Sequence, residues 1–328
     1  MAPTCPTIGV LVPADGTPPP PESRPIGRAA LALAREDIRV VFGCVLADGR
    51  IDGLQPVPGG WRSVTDLPID AIHDRFPSQI RSEAFARMLD GISGRIMANP
   101  VDFTMLCRDK VLSQQAMMDA GVSMPHLETD PTRFGQRLEA WGAGFLKPRY
   151  GALGTGVSRV EATDQLPAQL TGVVPGRLEP AILQRAVPPP SGWAGRALRV
   201  LVQRTPGGWH HCTPVVRSSR TDPVANAARG AEVGPGPALL APQTLERVRQ
   251  LCTQITAALD RRPEGRFAVE VGLDLVLDSD HSPHLIELNS RPRGRLEVLA
   301  RQDPAAYGQA HIDAAARPIR MLAHWVRG

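Results

Sequence analysis

Long apolar runs are absent from this sequence. Although 42% of its 328 residues are hydrophobic, no stretch approaches the roughly 18 consecutive apolar residues that a membrane-spanning helix needs. The first residues, MAPTCPTIGVLVPADG, also lack the basic region and the small-residue cleavage site of a signal peptide. We therefore expect no membrane contact and a cytoplasmic protein.

Paired cysteines and basic tracts are absent as well. The five cysteines are scattered, and none belongs to a C-x-x-C pair. This spacing argues against a disulfide framework and a zinc site, and it favours a reducing compartment. Because the formal net charge is only +4 and no basic tract occurs, nucleic acid is not an expected partner.

Lysine is nearly absent. Of 37 lysines and arginines, only Lys110 and Lys147 are lysines. One interpretation is a coding bias toward arginine that spared two lysines by chance. The other is that these two positions need a compact ammonium, where the planar guanidinium fork does not serve. The neighbourhood of each lysine has to decide between the two.

The segments that are present predict a mixed α/β chain, long enough for about two domains of ordinary size. An apolar run at 8–13, a helical pattern at 26–35 and a second apolar run at 38–45 predict a parallel βαβ unit. Further strands are predicted at 145–147, 157–160, 181–185, 198–204, 267–278 and 285–289. Further helices are predicted at 110–120, 244–259 and 314–326.

A glycine-rich loop, 147-KPRYGALGTGV-157, separates two of these strands. Gly151, Gly154 and Gly156 let the backbone bend and present successive N–H groups to an anion. The loop lacks the G-K-[ST] ending of a Walker A loop and the helix that follows a Rossmann fingerprint. The arrangement suits a flap over phosphates, which Lys147 at its root can reach; an ordinary turn is the alternative.

The strands at 267–278 and 285–289 carry a candidate metal site. One face of the first is apolar and is expected to face the core, with Phe267, Val269, Val271, Leu273, Leu275 and Leu277. Asp274 lies on the opposite face, and a hairpin brings it beside Glu287 and Asn289 on the returning strand. Two carboxylates and an amide oxygen suit Mg²⁺, which keeps waters and substrate phosphates as further ligands. The alternative is a solvated polar face.

Several segments together resemble the ATP-grasp superfamily in order and spacing, over roughly residues 100–300. They are 109-DKVLSQQAMMDAGVSMP-125, 145-FLKPRYGALGTGV-157, 183-LQRAV-187, 198-LRVLV-202, 226-NAARGA-231 and 272-GLDLVLDSDHSPHLIELNSRP-292. The two lysines fall on the superfamily's two nucleotide-binding lysine positions. Within it, 74-DRFPSQIRS-82, 198-LRVLVQRTPGGW-209 with Arg217, and 226-NAARG-230 look most like the YheC/YheD-like, endospore coat-associated branch.

The resemblance implies an α/β ATP-grasp fold with three parts. These are an N-terminal α/β domain at 1–104, a small lid with the glycine flap at 105–182, and a C-terminal part with the metal site at 183–328. The implied activity is ATP- and Mg²⁺-dependent ligation of a carboxylate to an amine through an acyl phosphate. The implied substrates are a small-molecule or peptide carboxylate and an amine, and a homodimer is possible.

The resemblance also implies residue roles. Lys110 and Lys147 would contact the α- and β-phosphates beneath the 151–156 loop. Arg199 and Arg229 would neutralise charge on the transferred phosphoryl group. Mg²⁺ would be held by three residues, Asp274, Glu287 and Asn289. The hinge beside adenine would be formed by Gln184, Arg185 and Val187. Many relatives carry an acidic residue at this hinge, and its replacement by Gln184-Arg185 leaves the nucleotide preference open.

Two other functions stay open at this point. The chain could be an ATP-binding structural or regulatory protein without turnover, or it could modify a ribosomal peptide. The complete set of two lysines and three metal ligands favours an enzyme. Arg75 and Arg81 are candidates for a carboxylate-substrate site, and Arg291 and Arg293 for substrate or phosphate contacts; surface charge is the alternative for each.

Overall fold

The computed structural model describes residues 5–12, 20–46, 49–75, 95–150, 156–166, 180–225, 230–292 and 296–328. Within these ranges it contains three β-sheets and the helices that cover them. The mixed α/β class predicted from the sequence is confirmed. None of the described helices combines the length and the apolar character that crossing a bilayer requires.

The first sheet has six strands in the order β4-β3-β2-β1-β5-β6. Their bounds are β1 Thr7–Leu11, β2 Arg39–Leu46, β3 Arg50–Val57, β4 Gly60–Pro68, β5 Ala71–Asp74 and β6 Ile96–Ala98. Strand β1 pairs in parallel with β2 and with β5, and helix α1 (Pro25–Ala34) connects β1 to β2. The predicted βαβ unit is therefore confirmed, whereas β3 to β6 had no counterpart in the prediction.

The second sheet is small and antiparallel, in the order β7-β10-β8-β9. Its strands are β7 Leu127–Glu128, β8 Gly144–Pro148, β9 Ser158–Val160 and β10 Ala181–Arg185. Helix α4 (Phe134–Trp141) covers it, with Phe134 and Leu138 packed against Leu146 and Leu183. The glycine loop between β8 and β9 lies mostly outside the described residues.

The third sheet is antiparallel and carries the predicted metal strands, in the order β14-β13-β11-β15-β16 with β12 beside β11. Its strands are β11 Gly195–Thr205, β12 Gly208–His211, β13 Val215–Ser219, β14 Glu232–Pro235, β15 Glu270–Leu277 and β16 Pro283–Asn289. The remaining helices are α2 Val101–Arg108, α3 Lys110–Met118, α5 Gly236–Leu239, α6 Pro242–Asp260, α7 Leu296–Gln302 and α8 Pro304–Arg327.

The predicted core face of β15 is correct except at one end. Val269, Val271, Leu273, Leu275 and Leu277 are all buried. Phe267 is instead 40% exposed; it lies three residues before the strand begins at Glu270 and packs edge-on against Trp325. A bulge at Ile286 shifts the register, so that Glu287 pairs with Asp274 while Leu285 pairs with Leu275. Both Leu285 and Leu288 thereby reach the core.

Apolar clusters include residues from both sides of the predicted domain boundaries. The boundaries themselves stay predictions. Helix α2 spans the boundary at 104 and buries Phe103 and Leu106 in the core of the third sheet. Near the other end of the chain, Ile319 and Leu322 of α8 pack against the strands of the first sheet. The first and third sheets are therefore joined by shared apolar surface.

Candidate active site

The two lysines come from different elements and meet in the interior. Lys110 is the first residue of α3, and Lys147 lies on β8; they are 7% and 4% exposed. Lys147 Nζ donates a hydrogen bond to Gln184 Oε1 at 2.6 Å. Burial, together with the charge of Lys110, lowers the pKa of Lys147 to about 8, and Glu287 and Asp274 oppose this shift.

Gln184 faces inward, toward the lysine. Its Nε2 donates to Gln114 Oε1 at 3.3 Å, and Gln114 Nε2 donates to the carbonyl of Pro125 at 2.9 Å. The side-chain amides of Gln184 and Gln114 thus form a chain of hydrogen bonds that positions the Lys147 ammonium. The Gln184 side chain is therefore engaged with Lys147 and Gln114, and the adenine-binding role of this segment stays a prediction. Arg185 is exposed and Val187 is half-buried at the strand end.

Asp274 lies at the centre of the candidate metal site. Arg199 donates to both of its oxygens, from Nε at 2.7 Å and from Nη2 at 2.5 Å. Arg217 Nη2 donates to Oδ1 at 2.9 Å, and Asn289 Nδ2 donates to Oδ2 at 2.8 Å. Burial alone would raise the pKa of Asp274, but the charges of Arg199 and Arg217 outweigh it and hold that pKa below its usual range.

Glu287 lies opposite Asp274 in the strand register and has a different environment. Among the described residues, no hydrogen bond reaches its carboxylate. Burial raises the pKa of Glu287, and Asp274 adds to the shift, while the charges of Lys110 and Lys147 act against it. A carboxylate in this position favours the approach of a cation.

The donor set fits a hard divalent ion. No cluster of three or more His, Cys, Asp or Glu side chains suited to a metal occurs in the part of the chain that the structure describes. Asp274, Glu287 and Asn289 offer only oxygen ligands, and too few to fill a coordination sphere. Mg²⁺ keeps several waters and phosphate oxygens at such sites. The structure therefore places the three predicted ligands together.

Not every predicted site residue can be placed. Gly156 has a φ of 73°, a backbone conformation that favours glycine. Gly151 and Gly154 of the flap, Arg229, and the substrate candidates Arg81 and Arg293 lie outside the described residues. Arg199 lies at the site, as predicted. Arg75 and Arg291 are described, and both form ion pairs at the carboxyl end of β5 in the first sheet.

Three side chains that contact the candidate site residues received no role from the sequence. Arg217 reaches Asp274 from β13, Gln114 supports Gln184, and Arg149 binds Asp109. Asp109 immediately before a helix was a readable capping signal; the other contacts depend on how the strands assemble. The described part of the site thus has four cations, Lys110, Lys147, Arg199 and Arg217, and two carboxylates, Asp274 and Glu287. This excess of positive charge suits a polyphosphate.

Comparison with known proteins agrees with this geometry. Residues 179–308 match the family model described as YheC/D like ATP-grasp. D-alanyl-alanine synthetase A from Vibrio cholerae is similar in structure, with a TM-score of 0.62, 15% identity and coverage of 98% of this chain and 99% of that chain. The chain has the ATP-grasp fold. The ATP-grasp resemblance read from the sequence is confirmed, and residues 179–308 carry its YheC/D-like character.

Further ATP-grasp structures support the same fold. VanG D-Ala:D-Ser ligase from Enterococcus faecalis gives a TM-score of 0.62 at 11% identity, covering 97% of this chain and 99% of that chain. Carboxyaminoimidazole ribonucleotide synthase from Aspergillus clavatus, solved with ATP, gives a TM-score of 0.54 at 15% identity, covering 96% of this chain and 79% of that chain. No curated protein matches this ATP-grasp chain in sequence. Similarity at such identities establishes the fold and no substrate.

Proposed function

We propose that this chain is an ATP- and Mg²⁺-dependent carboxylate–amine ligase. One observation carries the proposal: two lysines, two arginines, two carboxylates and an amide converge from α3, β8, β11, β13, β15 and β16. The ATP-grasp fold supports it, because solved proteins of this fold include ligases and an ATP complex. A structural protein has no chemical need for this whole set.

Each group has a role in the proposed reaction. Lys110 and Lys147 bind the phosphates of ATP as point charges. Asp274, Glu287 and Asn289 would hold Mg²⁺, which when bound neutralises phosphate charge. If Asp274 were to hold Mg²⁺, its two guanidinium partners would become available to the transferred group. Arg199 and Arg217 would then stabilise the negative charge that develops during transfer.

The proposed chemistry has two displacements. A carboxylate oxygen of the substrate attacks the γ-phosphorus, the bond from that phosphorus to ADP breaks, and an acyl phosphate forms. The amine then attacks the acyl carbon, phosphate leaves with the oxygen that came from the carboxylate, and the amine loses a proton. Exclusion of water by the closed site protects the acyl phosphate until the amine arrives.

The test is ADP release in the presence of panels of carboxylates and amines. ADP should form only when both substrates are supplied, and hydroxylamine should intercept the intermediate as a hydroxamate. With ¹⁸O in the carboxylate, the label should appear in phosphate. Retention of all ¹⁸O in the product during turnover would exclude an acyl phosphate. ATP binding without turnover on any carboxylate would instead support a nucleotide-binding structural protein.

A further inference from the structure

The first sheet has a topological switch point between β1 and β5. Strand β2 lies on one side of β1, and β5 lies on the other. In open parallel sheets, ligands bind in the crevice outside the carboxyl ends of the strands at such a point. Arg75 directly follows β5, so its guanidinium lies at this crevice. Neither the nucleotide site nor the proposed metal site uses this residue.

Two crossed ion pairs join this crevice to the metal strands. Arg75 Nη1 donates to Glu270 Oε1 of β15 at 2.8 Å. The preceding residue, Asp74, binds Arg291, which follows the metal strand β16. Asp74 and Glu270 are buried, and Arg291 is mostly buried. Because Arg291 follows the proposed metal ligand Asn289 by two residues, these ion pairs hold the crevice close to the proposed metal site.

The ion pair with Glu270 uses only some of the N–H donors of Arg75. Its side chain is 28% exposed, against 7% for Glu270. Among the described residues it donates only from Nη1, to Glu270 and at 3.5 Å to the carbonyl of Pro292. A guanidinium has five N–H donors in a planar fork. The ion pair therefore holds the fork in place and leaves a second edge for a planar anion.

We infer that Arg75 binds a second carboxylate of the substrate, at the end opposite the carboxylate that is activated; this rests on the proposed ligase function. The buried carboxylates Glu270 and Asp74 disfavour a dianion there, so a carboxylate fits better than a phosphate. Glu270 and Asp274 are four residues apart on one face of β15, about 13 Å. The two substrate carboxylates are then separated by on the order of 10 Å, the length of roughly three extended residues. The substrate class is a short peptide or chain acid with an anionic group at each end.

The experiment uses suberate as the probe, with suberate monoamide of equal length and succinate as a short dicarboxylate. Each is titrated calorimetrically into the full chain with Mg²⁺ and a non-hydrolysable ATP analogue. Wild type should bind suberate about tenfold more tightly than the monoamide, since a bidentate guanidinium–carboxylate pair is lost. Succinate should bind weakly because it is too short to reach both sites.

Variants assign the preference to Arg75. Arg75→Gln should remove the difference between suberate and its monoamide, and Arg75→Lys should retain part of it. Arg75→Gln removes the arginine partner of the buried Glu270 and can impair folding. The double variant Arg75→Gln, Glu270→Gln therefore repeats the test with both charges removed. Arg62→Gln, an exposed arginine of the same sheet, should leave the difference unchanged.

The outcomes separate this inference from the ligase proposal. If wild type does not bind the ATP analogue, the proposed function is wrong. If it binds the analogue but shows no preference for suberate, or keeps that preference in Arg75→Gln and in the double variant, the Arg75 site is wrong. Tighter binding of a phosphonate of suberate length, through Arg75, would overturn the carboxylate class.

Discussion

Asp109 and Arg149 form a two-point ion pair that joins the helix of Lys110 to the strand of Lys147. Arg149 Nε lies 2.9 Å from Asp109 Oδ1, and Nη2 lies 2.6 Å from Oδ2. Asp109 also caps α3 by accepting from the N–H groups of Val111 and Leu112. The charge of Lys110 lowers the pKa of Lys147, so the two lysines repel each other. The pair opposes this repulsion and fixes the spacing of the two cations.

Asp109→Asn should weaken nucleotide binding more than it weakens the fold. The amide keeps the helix cap but loses the charge that holds Arg149, so the lysines separate. We expect an increase of about tenfold in the dissociation constant of ATP, measured with a fluorescent nucleotide beside thermal melting. Glu161→Gln, in the exposed pair with Arg159, is the matched control and should be silent. Unchanged affinity in Asp109→Asn would contradict the positioning role.

Removing the charge of Asp274 and removing the charge of Glu287 should affect the stability of the protein differently. Asp274→Asn leaves Arg199 and Arg217 buried without a carboxylate, which should destabilise the protein by about 3 kcal/mol or more. Glu287→Gln removes a carboxylate whose pKa is raised by burial, so the melting temperature of the metal-free protein should stay or rise. Both variants should lose ATP turnover, since each deletes a proposed Mg²⁺ ligand.

The sign of the pH dependence follows from the same pKa shifts. Asp274 has a lowered pKa, so its stabilising contribution is present above its ordinary value of 3.8 and is lost as the pH falls through the lower folded value. Glu287 has a raised pKa, so the folded state takes up a proton that the unfolded state releases, and stability from this group falls as the pH rises. Equal melting temperatures for Asp274→Asn and Glu287→Gln at neutral pH would show that their environments do not differ as described.

ATP affinity should fall above pH 8. The pKa of Lys147 is about 8, and a bound phosphate favours the ammonium, so nucleotide binding takes up a proton in this range. Affinity should decline by up to about tenfold per pH unit above the pKa. Gln184→Glu places a carboxylate against Nζ, raises the pKa of Lys147 and should move the decline to higher pH. Gln243→Glu, at an exposed position, should leave the titration where it is.

Lys147→Arg should impair nucleotide binding although it keeps a positive charge. The ammonium is 4% exposed and lies 2.6 Å from Gln184 Oε1, which leaves no room for a longer planar group. Nucleotide titration of this variant tests whether function or coding bias preserved the lysine. The reverse change at an exposed site, Arg62→Lys, should have no effect. Normal ATP affinity in both Lys147→Arg and Lys110→Arg would favour coding bias.

Gly272→Ala should disturb the proposed metal site, because Gly272 lies two residues before Asp274 on β15 and pairs with Asn289 on β16. A Cβ at this position would lie 2.9 Å from Pro292 Cβ and 3.3 Å from Arg199 Nη1. We expect a loss of about 1–3 kcal/mol together with reduced turnover, measured by melting and ADP release. Gly308→Ala is the contrast: nothing lies within 4 Å of its Cβ, so in helix α8 it should stabilise by up to about 1 kcal/mol. A silent Gly272→Ala would contradict the tight approach of Pro292 and Arg199.

Much of the fold could be predicted because the signals are local. Alternation identified the core face from Val269 to Leu277, whereas Phe267, three residues before the strand begins, was wrongly assigned to it. The parallel unit of β1, α1 and β2 followed from element order. Strands β3 and β4 escaped prediction: turn residues and mostly half-buried or exposed side chains weaken their alternation.

The sequence by itself determined which residues could do chemistry. Two lysines among so many arginines, and Asp274, Glu287 and Asn289 on predicted faces, were identifiable from composition and period. Only the tertiary structure decided their partners. Asp274 binds Arg217 and Arg199 across 57 and 75 residues of chain, and Arg75 meets Glu270 across 195. Such pairs depend on strand order and on the packing of one sheet against another, and residue periodicity along a single strand carries no information about either.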